Sequence, residues 1–342
     1  MTGGRVTSHE VAQAAGVSRS TVSIVLSGKR GARISATTRE RVERAARKLG
    51  YTPDAAGRAL ATRRTMNIGL VYSAAQAGHG FLLDVMWGLT RVTARHDLRL
   101  LVDTFQEDAA YQSLQRLTRA KHIDGLVMFE PRGDDPDVRQ LVEDGFPLVF
   151  IGSSPSRKVC SVDVDNRAAA RVAVRHLLDG GRRRVACVTN APMAFTAAAA
   201  RYQGYLDALR LRRIAPDPAL FHEGNYTARS GFEAMEEILR GASLPPDAVF
   251  VASDTVAFGA MRAIRERNLR IPEDIAVVGF DDIPLAGEAF PPLSSVRFSG
   301  EEEGRRAAEM LIRLIAGGIA PGRREHVRAE LVVRGSSDAE AS

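Results

Sequence analysis

The sequence predicts an all-α head of three short helices followed by an α/β body of two lobes, each built on a doubly wound parallel sheet. Two observations favour this fold class. Within the first 50 residues, three helix patterns are set off by capping residues and glycines. From residue 67 onward, apolar strand patterns alternate with amphipathic helix patterns, which is typical of parallel sheets covered by helices. A chain of 342 residues has room for two or three domains.

Each helix pattern of the head is preceded by a residue whose hydroxyl can cap it. These caps are Thr7, Ser18 and Ser35. The first has the spacing of a capping box, because Glu10 follows three residues later. Gly16 and Gly50 stand where the first and third helices should end. The patterns predict a second helix over 19–26 and a third over 36–49, and the side chains expected to turn inward are Val11, Ala14, Ala15, Val22 and Val25.

The second helix begins with short or forked hydrogen-bond donors. These are Arg19, Ser20 and Thr21, with Ser23 shortly after them. Such donors, on a helix that follows a tight turn, are typical of a recognition helix that contacts base edges and phosphates. The alternative is a capped three-helix domain with a polar face and no DNA contact.

Positive charge is confined to the head. Residues 1–65 contain 13 Lys and Arg against 4 Asp and Glu, a formal charge of +9, whereas the whole chain carries 47 against 41. The remaining residues are slightly acidic, with 34 Lys and Arg against 37 Asp and Glu. Because neutralising phosphates releases counterions, a basic patch on one small domain indicates that this domain binds nucleic acid.

Residues 53–65 predict a hinge helix that forms only on DNA. The stretch begins with a proline and a capping aspartate, but it is too short to be a stable helix alone, and Gly57 weakens it further. Leu60 would be an apolar side chain on a basic background that includes Arg58. An apolar wedge of this kind can enter the minor groove and bend the duplex. The alternative is a plain interdomain linker.

Strand and helix patterns divide the body into two similar sets. In the first set, strands are expected over 68–72, 99–103, 125–129 and 148–151, with helices over 82–95 and 108–120. In the second set, which begins near residue 165, strands are expected over 185–189, 248–252 and 275–278, with helices over 198–212, 228–240 and 255–267. The chain is expected to return to the first lobe over 293–298 and to continue with a helix over 301–315. Two such lobes predict a cleft that can open and close.

Short motifs follow one another along the whole chain. They are AGVS at 15–18, TVS at 21–23, LGYTP at 49–53, SVDVDN at 161–166, VVGFDD at 277–282 and PPLSSV at 291–296. Through these motifs the chain, from about residue 6 to residue 334, resembles the LacI/GalR family of transcriptional regulators. The resemblance implies a helix-turn-helix DNA-binding head, a hinge helix and a type I periplasmic-binding-protein-like body with an effector site between its lobes.

The resemblance also implies how the head would contact DNA. Arg19 and Ser20 would read bases, and Leu60 would act as a lever in the minor groove. The DNA backbone would be contacted by Thr21, Ser23, Ser35 and Thr38, and the rest of the interface would include Thr7, Ser18 and Arg58.

Ile24 departs from the family at one of these positions. The family usually has an arginine there, directly after the Thr-Val-Ser triplet, and that arginine reads a guanine. An isoleucine cannot make this bidentate contact, but it can touch a thymine methyl group. The operator is therefore predicted to favour A·T at this base pair.

By the same resemblance, the effector pocket would be formed by Arg201, Tyr226, Ser253 and Asp281, with Phe81 nearby. Arg201 would present a planar fork of donors to paired hydroxyls, Asp281 would accept hydrogen bonds, and Tyr226 would stack on the apolar face of a sugar ring. Asp165 and Asn166 are expected to cap a helix rather than to touch the ligand.

Three departures from the family concern this pocket. Residues 152–154 read Gly-Ser-Ser where many relatives have an aspartate, Ser253 stands where asparagine is frequent, and 298–299 read Phe-Ser where an acidic or amide residue is usual. These changes are expected to remove charged partners for a ligand. A sugar or sugar derivative is the expected effector, and the alternatives are a phosphorylated metabolite, a nucleobase or a protein co-regulator.

The predicted domains are a DNA-binding head over 5–52, a hinge over 53–65 and an effector-binding and dimerisation domain over 66–335. Its first lobe would comprise about 66–165 and 295–325, and its second about 166–294 with the C-terminal strand. The predicted function is a repressor that binds a pseudo-palindromic double-stranded DNA operator and responds to a small sugar-like effector. A homodimer is expected, because a single head of this size would bind weakly.

Two other function classes share the body but not the remaining features. A periplasmic solute-binding protein would have a secretory signal and no basic head, whereas this chain begins with a polar stretch. An NAD-linked or sugar-modifying enzyme would need a phosphate loop or an acid/base cluster, and no GxGxxG or HExxH motif occurs. We therefore expect no enzymatic activity, no catalytic residues, no cofactor and no metal.

The remaining sequence features concern the compartment. Cys160 and Cys187 form no CxxC pair and are expected to be buried thiols in a reducing compartment. No apolar run reaches the length of a membrane span. The protein is therefore expected in the cytoplasm, associated with the nucleoid and not with a membrane.

Overall fold

The computed structural model describes residues 6–26, 34–52, 64–105, 114, 118, 121–132, 136–154, 156–338 and 340. The chain divides into two compact units, Met1–Met66 and Asn67–Ser342. Arg58 and Leu60 of the predicted hinge lie outside the described residues. So does the predicted helix over 108–120, apart from Leu114 and Thr118, which are both helical.

Three helices form the head, and each begins and ends where the sequence predicts. They are α1 (Ser8–Ala15), α2 (Arg19–Leu26) and α3 (Ala36–Leu49). The capping box before α1 is confirmed, since the Thr7 N–H donates to the Glu10 carboxylate at 2.7 Å and the Thr7 hydroxyl accepts from the Glu10 N–H. Gly16 and Gly50 follow α1 and α3 in the left-handed conformation, with φ of 63° and 65°.

The core of the head differs from the prediction at one position. It is formed by Val11, Ala12, Ala15, Val22, Val25, Val42, Ala45 and Ala46. The expectation that Ala14 turns inward is wrong, because Ala14 is exposed and Ala12 is buried. These two alanines flank the line through Val11 and Ala15 on opposite sides, so helical periodicity alone does not decide which of them is covered.

The first lobe of the body contains one sheet of six parallel strands. These are β1 (Asn67–Ser73), β2 (Arg99–Phe105), β3 (Gly125–Phe129), β4 (Leu148–Ile151), β5 (Cys160–Val164) and β11 (Arg324–Val327). Their order across the sheet is β11-β5-β4-β3-β1-β2. Helices α4 (Phe81–Arg95), α5 (Pro136–Glu143) and α11 (Gly300–Ile315) belong to this lobe. β3, β4 and β5 are buried along their whole length, as is typical of strands covered on both faces.

The second lobe repeats this plan. Its strands are β6 (Val185–Val188), β7 (Phe221–His222), β8 (Ala248–Val251), β9 (Ala276–Asp281), β10 (Ser294–Arg297) and β12 (Glu330–Val332). Their order is β12-β10-β9-β8-β6-β7, and only the pairing of β12 with β10 is antiparallel. Its helices are α6 (Asn166–Asp179), α7 (Thr196–Leu211), α8 (Ala228–Gly241), α9 (Asp254–Glu266) and the short α10 (Pro284–Glu288).

The chain passes between the lobes three times, after β5, after β10 and after β11. The prediction that it has returned to the first lobe by residues 293–298 is wrong, because β10 pairs with β9 and β12 in the second sheet. The return comes with α11, which packs against α4 at Gly88 and Gly304. A strand pattern indicates a strand but not the sheet that it joins, so the sequence could not fix this crossing.

Both cysteines are free thiols in the cores of their lobes, as predicted. Cys160 lies on β5 and Cys187 on β6. Burial raises the pKa of the Cys187 thiol. Among the described residues, none of the helices is both long and apolar enough to cross a membrane.

Candidate functional site

The first turns of α2 present a polar surface on the head. Arg19, Ser20 and Ser23 are exposed, whereas Thr21 and Ile24 are partly buried. The other predicted DNA contacts of the head are exposed or partly buried at the starts of the three helices: Thr7, Ser18, Ser35 and Thr38. The structure therefore places these side chains on the surface of one small domain.

Hydroxyl clusters fix the starts of α2 and α3. Ser18 Oγ accepts from the Thr21 N–H at 3.1 Å and lies 2.7 Å from Ser20 Oγ. Ser35 Oγ accepts from the Thr38 N–H at 3.2 Å and donates to Thr38 Oγ1 at 2.9 Å. Because the dipole and the unpaired N–H groups at a helix start attract anions, both helix starts suit contacts with DNA phosphates.

In the body, His79 joins the two lobes at the centre of the cleft. It follows β1 in the first lobe, and its Nε2 lies 3.2 Å from Asp281 Oδ2 and 3.3 Å from Ser253 Oγ in the second lobe. Its ring centroid is 5.7 Å from that of Tyr226 and 6.2 Å from that of Phe81. The structure thus brings four predicted effector residues around one histidine that sequence analysis did not single out.

The guanidinium of Arg201, the fifth predicted effector residue, donates hydrogen bonds to protein groups and is not free to bind paired hydroxyls with its whole fork of donors. Its Nε donates to Asn166 Oδ1 at 2.7 Å, and its Nη1 donates to the Ala252 carbonyl at 2.6 Å. The guanidinium lies 3.9 Å from the centroid of Phe280, and Nη1 is 3.6 Å from Asp281 Oδ1. Two of its three nitrogens therefore already have partners, which limits what Arg201 offers to a ligand.

Of the two residues predicted to cap α6, Asp165 does so and Asn166 does not. Asp165 caps this helix by accepting from the Ala168 N–H at 2.9 Å. Asn166 does not cap it, because its amide nitrogen donates to Asp163 Oδ1 at 2.9 Å while its oxygen accepts from Arg201. The reason is positional, since only the residue before the first helical turn can reach the free N–H groups.

A second polar bridge crosses the cleft beside His79. Gln76 Nε2 donates to Tyr226 Oη and to the Glu130 carbonyl, each at 3.2 Å. Tyr226 is fully buried and has a left-handed backbone, with φ of 58°. Burial raises the pKa of the Tyr226 hydroxyl well above its usual value, and the nearby Glu130 carboxylate raises it further.

Five carboxyl groups are buried in this region, and sequence analysis named only Asp281 among them. The full set is Glu130, Asp163, Asp254, Asp281 and Glu303. Burial raises the pKa of Asp163 to about 7, and it raises the pKa of Asp254 and Glu303 well above the usual value. Titratable side chains thus line this region at positions other than the three departures named in the sequence analysis.

Two of the missed carboxyl groups had a signal in the sequence. Glu130 directly follows the apolar strand β3, where parallel strands present ligand groups at their carboxyl ends. Glu303 falls on the buried face of α11, which Gly300, Gly304 and Ala307 also line. A glutamate at helical spacing among small buried residues is unusual for a solvated charge.

Comparison with known proteins decides the family. Residues 7–54 match the family model of bacterial regulatory proteins of the lacI family, and residues 174–337 match the periplasmic binding protein-like domain. The transcriptional regulator CelR of Thermobifida fusca is 36% identical over 97% of this chain and 98% of its own length. The chain belongs to the LacI family. A further LacI-family relative, the repressor CytR of Escherichia coli K12, is 31% identical over 97% of this chain and 96% of its own length.

Solved structures of LacI-family proteins share the whole fold. The CelR–cellobiose complex has a TM-score of 0.75 at 34% identity and covers 97% of this chain and 100% of that one. The lac repressor dimer bound to operator and the anti-inducer ONPF has a TM-score of 0.86 at 28% identity, and the match covers 98% of this chain and 99% of that one. The predicted fold class is confirmed, and the protein is a transcriptional regulator and not an enzyme.

Two of the three departures from the family pattern, at 152–154 and 298–299, have structural roles here. Ser153 Oγ donates to Asp163 Oδ2 at 2.7 Å, and Ser299 caps α11 by accepting from the Glu302 N–H. Phe298 packs against Phe81, with ring centroids 4.6 Å apart. These three side chains thus make contacts within the protein.

Proposed function

We propose that this LacI-family regulator represses transcription as a homodimer on a pseudo-palindromic operator, and that a sugar-like effector in the interlobe cleft controls it. The observation that supports this most directly is the meeting of both lobes at His79, Asp281 and Ser253. A ligand that takes over the hydrogen bonds of these groups changes how the lobes are held together. Only such a difference between two arrangements lets a ligand shift an equilibrium.

In this proposal the head supplies both affinity and sequence specificity. Its formal charge of +9 against a slightly acidic remainder makes phosphate contact the source of affinity. Arg19 and Ser20, exposed on the first turn of α2, would read base edges. The polar starts of α2 and α3 would contact the DNA backbone, and Leu60 would open the minor groove.

Apolar surface on the body favours a homodimer. On α4, Leu83 and Trp87 are one helical turn apart and are 70% and 60% exposed. Val102 on the edge strand β2, and Leu285 and Phe290 in the second lobe, are also exposed. In the proposed homodimer, the adjacent Leu83 and Trp87 would be covered by the second copy. A twofold axis would place two heads on the two half-sites of a pseudo-palindrome.

The chemistry of the cleft favours a ligand rich in hydroxyl groups. Carboxylate and amide oxygens accept hydrogen bonds there, while Phe81, Phe129 and Tyr226 offer ring faces. The relative CelR has been solved in complex with cellobiose. We infer that a sugar or sugar derivative occupies this cleft and changes the angle between the lobes, and thereby the spacing of the two hinges.

A binding experiment with the full chain tests the proposal. The operator is first isolated by selection from a genomic library, and its affinity is then measured by fluorescence anisotropy with and without a panel of sugars and sugar derivatives, amino sugars included. One of the sugars should change the affinity by about 5- to 150-fold, the range of typical allosteric coupling. Calorimetry should show the same factor for sugar binding to the free protein and to the operator complex.

Two results contradict the proposal. One is an operator affinity that no member of the sugar panel changes. The other is an operator affinity that stays unchanged in the variant Arg19→Ala on α2. The control variant is Arg262→Ala on α9 of the second lobe, which should leave operator affinity unchanged. Sedimentation velocity gives the oligomeric state independently, and a monomer at micromolar concentration contradicts the homodimer.

A further inference from the structure

Unpaired buried polar atoms cluster at the cleft. In the part of the chain that the structure describes, they occur on five residues: His79, Glu130, Asn190, Asp281 and Glu303. Four of the six atoms are oxygens, and each of these residues is at least nine-tenths buried. Buried polar groups are normally satisfied, so these atoms point to a ligand that supplies mainly donors.

Acidic groups outnumber basic ones in the same place. The carboxyl groups of Glu130, Asp163, Asp281 and Glu303 act electrostatically on one another, and the cations that act on them are Arg201 and His79. Both cations are already engaged, since Arg201 donates to Asn166 and to a carbonyl and His79 lies against Asp281. A cation that entered the cleft would therefore stabilise the ionised form of these carboxyl groups.

Glu303 is the clearest example of a carboxyl group that a cation would stabilise in its ionised form. It lies in the first turn of α11 and is 2% exposed, and its Oε1 has no hydrogen-bond partner among the described residues. Burial raises its pKa first, and the carboxyl groups of Asp163, Glu130 and Asp281 add to this, while Arg201 opposes them. In this arrangement Glu303 holds a proton, and a further cation beside it would allow it to ionise.

A metal ion does not fit this cluster. Among the described residues, no three His, Cys, Asp or Glu side chains are close enough together to share one. The acceptors are instead spread over both lobes, from Glu130 after β3 to Asn190 after β6. An extended organic molecule can reach acceptors that a single ion cannot.

We propose that the effector is a polyhydroxylated amine, such as an amino sugar, whose protonated amino group is held by Glu303 and Glu130. The inference rests on the proposed function, because it assumes that the effector binds in this cleft. The hydroxyl groups would satisfy Asp281 and Asn190. A neutral sugar satisfies the acceptors but does not stabilise an ionised Glu303, and a phosphorylated metabolite would bring a negative charge toward the carboxyl groups.

Calorimetry on the full chain with matched ligand pairs tests this inference. The pairs are glucosamine and glucose, galactosamine and galactose, and diglucosamine and cellobiose, with the N-acetylated amines as uncharged analogues and glucose 6-phosphate as an anion. We expect the amine of at least one pair to bind about tenfold or more tightly than its hydroxyl and N-acetyl counterparts. Glucose 6-phosphate should bind more weakly than glucose. The inference is overturned if no amine binds more tightly than its uncharged counterparts.

Isosteric variants assign the preference to residues. Glu303→Gln and Glu130→Gln each remove the carboxyl group with which the bound amine would pair and keep the shape of the side chain, so each should lower the preference for the amine by about tenfold. Glu309→Gln, on the exposed side of the same helix, is the matched control and should keep the preference. Thermal unfolding confirms that each variant is folded. A preference that survives in both folded variants overturns the assignment.

Operator binding separates this inference from the proposed function. If a neutral sugar changes operator affinity and the matching amine does not bind, the proposed function stands and the inference fails. If an amine changes operator affinity and binds more tightly than its uncharged counterparts, both stand; if it binds no more tightly than they do, only the proposed function stands. If neither sugars nor amines change operator affinity, the proposed function itself fails.

Discussion

His79 Nε2 of the first lobe lies 3.2 Å from Asp281 Oδ2 of the second, and each side chain is 1% exposed. Burial lowers the pKa of His79, but the carboxylates of Asp281 and Glu130 outweigh burial and the opposing charge of Arg201, so its pKa is raised. The histidine therefore occupies, from within the protein, the acceptors that an effector in this cleft would use. An effector that bound Asp281 would have to displace this histidine, which contacts the other lobe.

Replacing His79 should open the cleft. His79→Ala leaves Asp281 buried without its partner from the other lobe, which should weaken the closed arrangement by up to about 3 kcal/mol. Small-angle scattering should then show a larger radius of gyration for the variant. His122→Ala, at an exposed position of the first lobe, is the control. An unchanged scattering profile for His79→Ala contradicts the role of this pair.

The stability of the body should fall as the pH rises toward neutrality. Burial raises the pKa of Asp163 from 3.8 to about 7, against the opposing effects of Ser153 and Arg201. Between these values the folded state keeps a proton that the unfolded state releases, so the stabilisation is present below pH 3.8 and is lost as the pH rises to about 7. Asp163→Asn should flatten this slope in thermal unfolding.

Asp274 provides the control for that experiment, because its pKa is shifted in the opposite direction to that of Asp163. Its exposed carboxylate accepts hydrogen bonds from Arg270, which lowers its pKa to about 2. Asp274→Asn should therefore lower the stability by a constant amount above the unfolded value of 3.8 and alter the slope of the profile only below it. Parallel profiles for the wild type and Asp163→Asn between pH 4 and about 7 contradict the first assignment.

Local signals made the head predictable from sequence. Caps at Thr7, Ser18 and Ser35 and glycines after α1 and α3 mark helix boundaries through bonds within a few residues. Such signals do not depend on distant parts of the chain. Body strands such as β3 and β4 were predictable for a similar reason, since a short apolar run between polar segments identifies a buried strand.

The cleft was less predictable because its groups come from distant parts of the chain. His79 and Asp281 are some two hundred residues apart, and neither has a local pattern that indicates the other. The family resemblance led to Arg201 but not to its bonds with Asn166 and the Ala252 carbonyl. The placement of β10 failed for the same reason, since the partner of a strand is set by tertiary packing.

Close packing of α8 on α9 should make Gly259 intolerant of any side chain. A Cβ built there would overlap the Ala228 carbonyl oxygen of the facing helix. Gly259→Ala should therefore cost roughly 3 kcal/mol in chemical denaturation, because the backbone itself must shift. Gly241→Ala, at the end of α8 with open space around it, should be neutral or slightly stabilising. Equal effects of the two changes contradict this contact.

A charge on the exposed face of α4 should weaken the proposed homodimer. Trp87 is 60% exposed in the single chain, and burying an aspartate in an apolar interface is costly. Trp87→Asp should raise the dissociation constant at least about tenfold in sedimentation velocity. Leu211→Asp, at the end of α7 and 69% exposed, is the matched control. A dissociation constant that Trp87→Asp leaves unchanged would mean that Trp87 does not lie in the dimer interface.

The final prediction concerns how α2 reads its operator. Ile24 lies partly buried on α2 and carries no polar group, so the wild type should prefer A·T at the base pair that it faces. Ile24→Arg should shift that position to G·C, with a discrimination of about 1–3 kcal/mol in unbiased binding-site selection. Ser23→Ala, next to it on the exposed surface, should weaken binding without changing the preferred base. A wild-type consensus that already has G·C there contradicts the prediction, because an isoleucine has no donor with which to select guanine.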